Sequence, residues 1–190
     1  MNLPNFLTLL RILAVPAIIA LLYFPAPDTC LAATLVFCAA AFTDFLDGHL
    51  ARKWNQITTL GKLMDPLADK LLTASTMIML ASLSVDNDGR SWAPAWVVIV
   101  ITGREFLVTG MRALAAERGM VMAADIFGKL KTVVQIAALI PLMLHYPVWG
   151  LDPRPLGQIL LYTALLLTVF SGVNYIVQFV KFLRANAAES

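Results

Sequence analysis

Charged side chains are scarce in this sequence of 190 residues, in which Asp, Glu, Lys and Arg together make up only 14%. Soluble domains carry roughly 25% charged residues, whereas apolar residues reach 59% here. The apolar residues also fall in long blocks and not in the mixed pattern of a soluble core. These features exclude an ordinary soluble domain and favour a membrane protein.

Cysteine and histidine are also rare, with two residues of each. Cys30 and Cys38 lie within or beside one apolar segment, where we expect them to pack as small hydrophobic residues. His49 and His145 have no suggestive spacing to a serine or cysteine nucleophile. The first apolar run has no basic segment before it and no cleavage site after it, so we interpret it as a membrane helix and not as a signal peptide.

Six apolar segments have roughly the length that crosses a bilayer. The length of the chain suggests one domain, covering residues 1–190. We therefore expect an all-α, polytopic membrane protein with six transmembrane helices. The six segments are Asn5–Phe24, Thr29–Asp47, Leu63–Val85, Pro94–Ala113, Asp125–Tyr146 and Leu156–Leu183.

The distribution of positive charge predicts the orientation. Of the fourteen Lys and Arg residues, the loops 24–29, 84–94 and 146–156 contain only Arg90 and Arg154. Because cytoplasmic loops are enriched in Lys and Arg, the opposite side of the protein is predicted to be cytoplasmic. Both termini and the connection between the second and third segments lie on that side.

Four aspartates flank this cytoplasmic connection. Asp44 and Asp47 are three residues apart, and Asp65 and Asp69 are four apart, so each pair shares one face of a helix. A short connection makes the second and third helices antiparallel neighbours and brings the pairs to one depth. Pro66 fits the first turn of the third helix, where its missing N–H costs no hydrogen bond.

Four neighbouring carboxylates repel one another unless a cation intervenes. Hard oxygen ligands favour Mg²⁺, Mn²⁺ or Ca²⁺ over zinc, and Mg²⁺ usually binds through carboxylates and substrate phosphates. The pattern thus predicts a metal-dependent phosphoryl-transfer site in a polar cavity that faces the cytoplasm. The alternative is that the acids cap or solvate helix ends, with Lys70 or Arg52 neutralising part of their charge.

A second group of charged residues is basic. Arg104 and Arg112 follow one face of the fourth segment, and Lys129 and Lys131 lie at the start of the fifth. Together they are candidates for binding a phosphomonoester, because an ionisable residue inside an apolar segment is a functional candidate. The lysines could instead only determine the topology, and Arg104 could form a structural ion pair with one of the aspartates.

The acidic pattern resembles the signature of the CDP-alcohol phosphatidyltransferase family, a likeness that covers nearly the whole chain. The matching pattern is Asp44-x2-Asp47-Gly48-x2-Ala51-Arg52-x8-Gly61-x3-Asp65-x3-Asp69. The stretches "NFLTLLR", "GREFLVTGMRALAAERG" and "GKLKT" also resemble the bacterial phosphatidylglycerophosphate synthases within that family.

The resemblance implies a reaction in which a hydroxyl of sn-glycerol 3-phosphate attacks CDP-diacylglycerol, giving phosphatidylglycerophosphate and CMP. It implies Mg²⁺ or Mn²⁺ bound by Asp44, Asp47 and Asp65, with Asp69 as a further ligand or as the base. It also implies a homodimer in the bacterial cytoplasmic (inner) membrane and no nucleic-acid partner. The residues expected to bind the CDP-lipid are Asn5, Thr8, Arg11, Gly48, Ala51, Arg52 and Gly61.

Two other functions stay open on the sequence alone. The same chemistry could use inositol phosphate, serine or phosphatidylglycerol as the acceptor, since the sequence does not encode the acceptor in an obvious motif. A divalent-cation transporter is less consistent, because the acids cluster near one interface and no pair of interrupted half-helices marks a central site.

Overall fold

The computed structural model describes the backbone of residues 3–54, 59–85, 90–117, 126–147 and 150–187. Within these ranges, side chains are described except at 3–7, 44–54, 59–66, 69, 84, 85, 90, 183 and 185–187. The described chain forms six helices and one short strand pair. The elements are α1 (Leu3–Tyr23), α2 (Pro27–Trp54), α3 (Thr59–Ser82), β1 (Ser84–Val85), β2 (Arg90–Ser91), α4 (Ala95–Glu117), α5 (Ile126–Leu144) and α6 (Arg154–Ala187).

Each of the six predicted segments corresponds to one helix, so the expected helical fold is confirmed. The strand pair was not predicted. Strands β1 and β2 are antiparallel, with Ser84 opposite Ser91 and Val85 opposite Arg90, and they lie between α3 and α4. Two residues per strand make this pair a short turn element and not a sheet that could form a second layer.

The connection between α2 and α3 differs from the prediction. Gly48 and Ala51 belong to α2, which continues to Trp54, and Gly61 belongs to α3, which begins at Thr59. Pro66 therefore lies well inside α3, and its predicted place in the first turn is wrong. Membrane helices contain Pro more often than soluble helices do, so Pro66 was a poor indicator of a helix start here.

The packing order also differs from a simple hairpin of α2 and α3. Helix α1 packs extensively against both α2 and α3, whereas the described parts of α2 and α3 contact each other only slightly. Helix α6 packs mainly against α5 and also against α4. The bundle thus places α3, α4, α5 and α6 around a common space, which becomes important for the site.

The interior of the bundle changes character along its length. One end is apolar, with Leu80, Ala93, Ile101 and Leu139 fully buried. Toward the other end, Lys131 and other polar side chains are buried instead, among them Thr76 and Gln135. Polar groups buried in this way need hydrogen-bond or ion-pair partners to offset the loss of water.

Aromatic residues close the apolar end. The Trp92 indole stacks on the His145 ring with centroids 3.4 Å apart, and Tyr146 meets Trp92 edge-on at 6.4 Å. The Tyr146 hydroxyl donates a hydrogen bond of 3.2 Å to the Pro25 carbonyl. These contacts connect the turn before α2, the turn before α4 and the end of α5.

The outer surface is suited to lipid. Within the described residues, Ile126–Leu144 and Arg154–Phe182 are long and apolar enough to cross a membrane. Large apolar side chains are also exposed on α4 and α6, including Ile99, Phe106, Leu166 and Val173. Extended apolar surfaces of this kind are typical of proteins that contact a membrane.

Candidate active site

The four signature aspartates lie on two continuous helices. Asp44 and Asp47 belong to α2, and Asp65 and Asp69 belong to α3, so each pair is separated by about one helical turn. Their side chains lie outside those described, and their joint coordination of a metal stays a prediction. A set of four carboxylates matches the hard oxygen ligands that Mg²⁺ and Mn²⁺ prefer. Among the described side chains, no group of three His, Cys, Asp or Glu residues could hold a metal.

A basic cavity of about 200 Å³ lies in the space between α3, α4, α5 and α6. The structure places all four residues of the predicted acceptor set on its wall: Arg104, Arg112, Lys129 and Lys131. Lys70 of α3 also lines it, as do Glu105 and Tyr175. Sequence spacing could relate residues within one helix, whereas the cavity joins cations from three helices.

Helix α6 holds Arg104 in place. The Nη2 atom of Arg104 donates a hydrogen bond of 2.7 Å to Ser171 Oγ, and its guanidinium lies 5.4 Å from the centre of the Tyr175 ring. A Cβ atom added at Gly172 would come within 3.0 Å of Arg104 Cγ. The guanidinium of Arg112 lies 6.0 Å from the same ring. Tyr175 therefore contacts both arginines, in a cation–π arrangement that favours their positive charge.

Glu105 connects three cations of the cavity. Its carboxylate forms an ion pair with Lys131, whose side chain is only 5% exposed. It also lies 3.5 Å from Lys70 Nζ and 3.6 Å from Arg104 Nη1. Lys70 in turn donates hydrogen bonds to the Glu105 carbonyl oxygen, at 3.4 Å, and to the Thr109 hydroxyl. Because burial of an unpaired lysine is costly, Glu105 is what makes the buried position of Lys131 tolerable.

Several residues of this site were missed from sequence, namely Glu105, Thr109, Ser171, Gly172 and Tyr175. One signal was available, since the adjacent pair Arg104 and Glu105 lies inside an apolar segment and buried charges usually occur in pairs. The contribution of Ser171, Gly172 and Tyr175 had no comparable signal, because it depends on the packing of α6 against α4. From the sequence, Lys70 was a possible partner of the aspartates. Its described side-chain contacts are instead with Glu105 and Thr109 of α4.

The predicted nucleotide side of the site is described only in part. Thr8 and Arg11 are both buried in α1. Arg11 lines a second, mostly apolar cavity of about 240 Å³ between α1 and α2, which also includes Thr43, the residue before Asp44. The side chains of Asn5, Gly48, Ala51, Arg52 and Gly61 lie outside those described, so their contacts with a CDP-lipid stay a prediction.

The fold and the cavity define a class of protein: a helical membrane protein with a basic cavity among its helices. Comparison with known proteins is consistent with this class and narrows it. The sequence pattern of the family described as CDP-alcohol phosphatidyltransferase matches residues 1–170, and the chain belongs to this family. It is therefore an enzyme, a phosphatidyltransferase.

Three relatives illustrate the similarity, and each is named CDP-diacylglycerol–glycerol-3-phosphate 3-phosphatidyltransferase. The protein of Bacillus subtilis (strain 168) is 40% identical, over 92% of this chain and 93% of its own length. The protein of Rickettsia bellii (strain RML369-C) is 38% identical, over 92% and 93% respectively. The protein of Escherichia coli (strain K12) is 35% identical, again over 92% and 93%.

Proposed function

We propose that this enzyme transfers the phosphatidyl group of CDP-diacylglycerol to sn-glycerol 3-phosphate in phospholipid biosynthesis. The products are phosphatidylglycerophosphate and CMP. One observation carries the choice of acceptor: the four cations predicted to bind a phosphomonoester line a single cavity. The names of the relatives support the same reaction.

The basic cavity binds the phosphate of the acceptor. Arg104 and Arg112 contribute planar guanidinium groups that can donate paired hydrogen bonds to phosphate oxygens. Lys129 and Lys131 add positive charge from α5. Because the surrounding bundle is apolar, these interactions are stronger than they would be in water. A cavity with this charge favours a phosphorylated acceptor over serine.

The aspartate helices bind the metal next to this cavity. Asp44, Asp47, Asp65 and Asp69 hold the divalent ions, either Mg²⁺ or Mn²⁺, which when bound offset charge on the diphosphate and on the departing CMP. Lys70 lines the basic cavity and directly follows Asp69 in the sequence. The attacking hydroxyl of the acceptor approaches Asp69, whose carboxylate takes the proton from it.

The donor lipid occupies the side of α1 and α2. Arg11 and Thr8 on α1, with Asn5, bind the nucleotide diphosphate together with Gly48, Ala51, Arg52 and Gly61. The mostly apolar cavity beside Arg11 suits the glyceride part of the lipid.

All six helices cross the inner membrane, both termini and the site face the cytoplasm, and two copies form a dimer.

The reaction can be tested with the purified protein in detergent. We expect CMP release from CDP-diacylglycerol with glycerol 3-phosphate and Mg²⁺ or Mn²⁺, and loss of this release after addition of a metal chelator. Serine, inositol phosphate and phosphatidylglycerol serve as competing acceptors. Equal or greater CMP release with one of these would overturn the proposed acceptor, and no release with any acceptor would overturn the proposed chemistry.

A further inference from the structure

Glu105 lines two neighbouring cavities. One is the basic cavity, and the other is a much smaller cavity of about 20 Å³. The small cavity is lined in part by Thr73, Thr102 and Gln135. Its volume suits about one water molecule, so a phosphomonoester fits only the basic cavity, where Glu105 is part of the wall.

A carboxylate is an unexpected component of a cavity that binds an anion. It lowers the attraction of the cavity for a phosphate, because it neutralises part of the charge of Lys70, Arg104 and Lys131. Support for the buried Lys131 explains a negative charge at this position. The Glu105 carboxylate also gives the cavity wall a preference between ligands. A ligand hydroxyl can donate a hydrogen bond to it, whereas a ligand carboxylate is repelled by it.

We propose that Glu105 is a specificity-determining residue, which restricts the basic cavity to phosphomonoesters whose other polar groups are neutral hydroxyls. Phosphomonoesters that also carry a carboxylate are rejected. This inference rests on the proposed function in one respect, namely that the cavity is the acceptor site. It adds a reason why an acid of the same size and phosphate position as the acceptor is not bound.

A matched pair of ligands tests the proposal on the unmodified protein. L-3-phosphoglycerate has the same C2 configuration as sn-glycerol 3-phosphate, and the two differ only in having a carboxylate or a hydroxymethyl group at one end. Binding is measured as the rise in unfolding temperature with ligand concentration, which requires no turnover. We expect glycerol 3-phosphate to bind about tenfold more tightly or better. A purely basic cavity would prefer the more negative ligand, and equal or tighter binding of 3-phosphoglycerate would overturn the proposal.

Glu105→Gln, which removes the charge and keeps nearly the same shape, tests whether Glu105 causes this preference. In Glu105→Gln we expect the preference for glycerol 3-phosphate to shrink at least severalfold, because binding of 3-phosphoglycerate becomes tighter. Loss of a merely structural contact would weaken both ligands and could not strengthen one of them. Glu117→Gln, at the exposed end of α4, is the matched control and should keep the preference of the unmodified protein.

The possible outcomes separate this proposal from the proposed function. An unchanged preference in folded Glu105→Gln overturns the role of Glu105 even if CMP release is normal. If that variant does not fold, Glu105→Asp retains the charge and is expected to retain the preference; loss of preference there also counts against the proposal. Discrimination between the ligands without CMP release would instead overturn the proposed reaction and leave the selectivity of the cavity intact.

Discussion

Arg104 and Arg112 line the same cavity but are held differently. Arg104 is fixed by Ser171 and Glu105 and is 10% exposed, whereas Arg112 is exposed and approaches the face of Tyr175. Removal of Arg104 would therefore disturb the bundle as well as the ligand. Arg112 is the better probe of acceptor binding, because its side chain can be removed with less effect on packing.

We expect Arg112→Ala to raise the KM for glycerol 3-phosphate by about tenfold to a hundredfold, the usual effect of losing one charge-assisted hydrogen bond. The KM for CDP-diacylglycerol should change much less, because the proposed site of that lipid is on the side of α1 and α2. Steady-state CMP release with each substrate varied in turn measures both values. Arg184→Ala, on the exposed end of α6, is the control, and equal losses for both substrates would contradict the assignment.

Asp69 is expected to act differently from the arginines. In Asp69→Asn, kcat should fall by about a hundredfold or more, because the amide cannot accept the proton of the attacking hydroxyl. Some binding of metal and nucleotide should remain, since three signature carboxylates are unchanged. Single-turnover CMP release and a metal titration measure the two effects, with Asp28→Asn near the start of α2 as control. Near-normal turnover would remove Asp69 from the role of base.

The sequence was informative about residues when their relationship lies within one helix. The spacing of the aspartates, and of Arg104 and Arg112, follows from helical periodicity, and the four basic candidates do line one cavity. The supporting residues could not be found in this way. Ser171, Gly172 and Tyr175 matter only because α6 crosses α4, and no local pattern encodes that contact.

At the scale of elements, Gly157 of α6 makes a close contact with α5. A Cβ atom at Gly157 would lie 2.7 Å from Leu142 Cγ and 3.0 Å from the Leu142 backbone nitrogen. The backbone cannot move aside without shifting a whole helix. Gly157 thus sets the close approach of these two helices, as small residues commonly do in membrane proteins.

We expect Gly157→Ala to lower the free energy of unfolding by about 1–3 kcal/mol, the usual cost of adding volume to a filled contact. The measurement is the unfolding temperature of the purified protein in detergent. Gly110→Ala on α4 introduces the same methyl group where nothing lies within 4 Å and should cause no loss. A similar decrease in both variants would show that the close approach is not the cause.

The elements themselves were predictable to different degrees. Long apolar runs predicted six helices correctly, because a run of that length in lipid has few other ways to satisfy its backbone. The bounds of α2 and α3 were predicted less well, because α2 continues past Asp47 to Trp54 and α3 begins at Thr59, so that Pro66 lies inside it. The position of α1 against both α2 and α3 was also not predictable, because it depends on side-chain packing between segments that are not adjacent in sequence.

For the whole molecule, the decisive prediction concerns topology. If all six helices cross the membrane with the termini inside, a cysteine at Leu151, between α5 and α6, is external and one at Lys181, near the end of α6, is internal. Both side chains are exposed. In a background with Cys30 and Cys38 replaced by alanine, an impermeant maleimide should label Leu151→Cys in intact cells. Lys181→Cys should react only after the membrane is opened, and the reverse pattern would contradict the orientation.

The side chains inside the bundle change from polar to apolar along its length, and this change affects whether ions could pass through it. If a charged cavity in an energised membrane continued to the other side, the polar path would let protons and small ions leak. Beyond the polar end, buried Ile101, Leu139 and Leu80 fill the interior, and stacked Trp92 and His145 follow. In the proposed orientation, this apolar filling would separate the charged cavity from the far side of the membrane, as hydrophobic constrictions do in closed channels. The enzyme could then admit water to its charged site without letting ions cross.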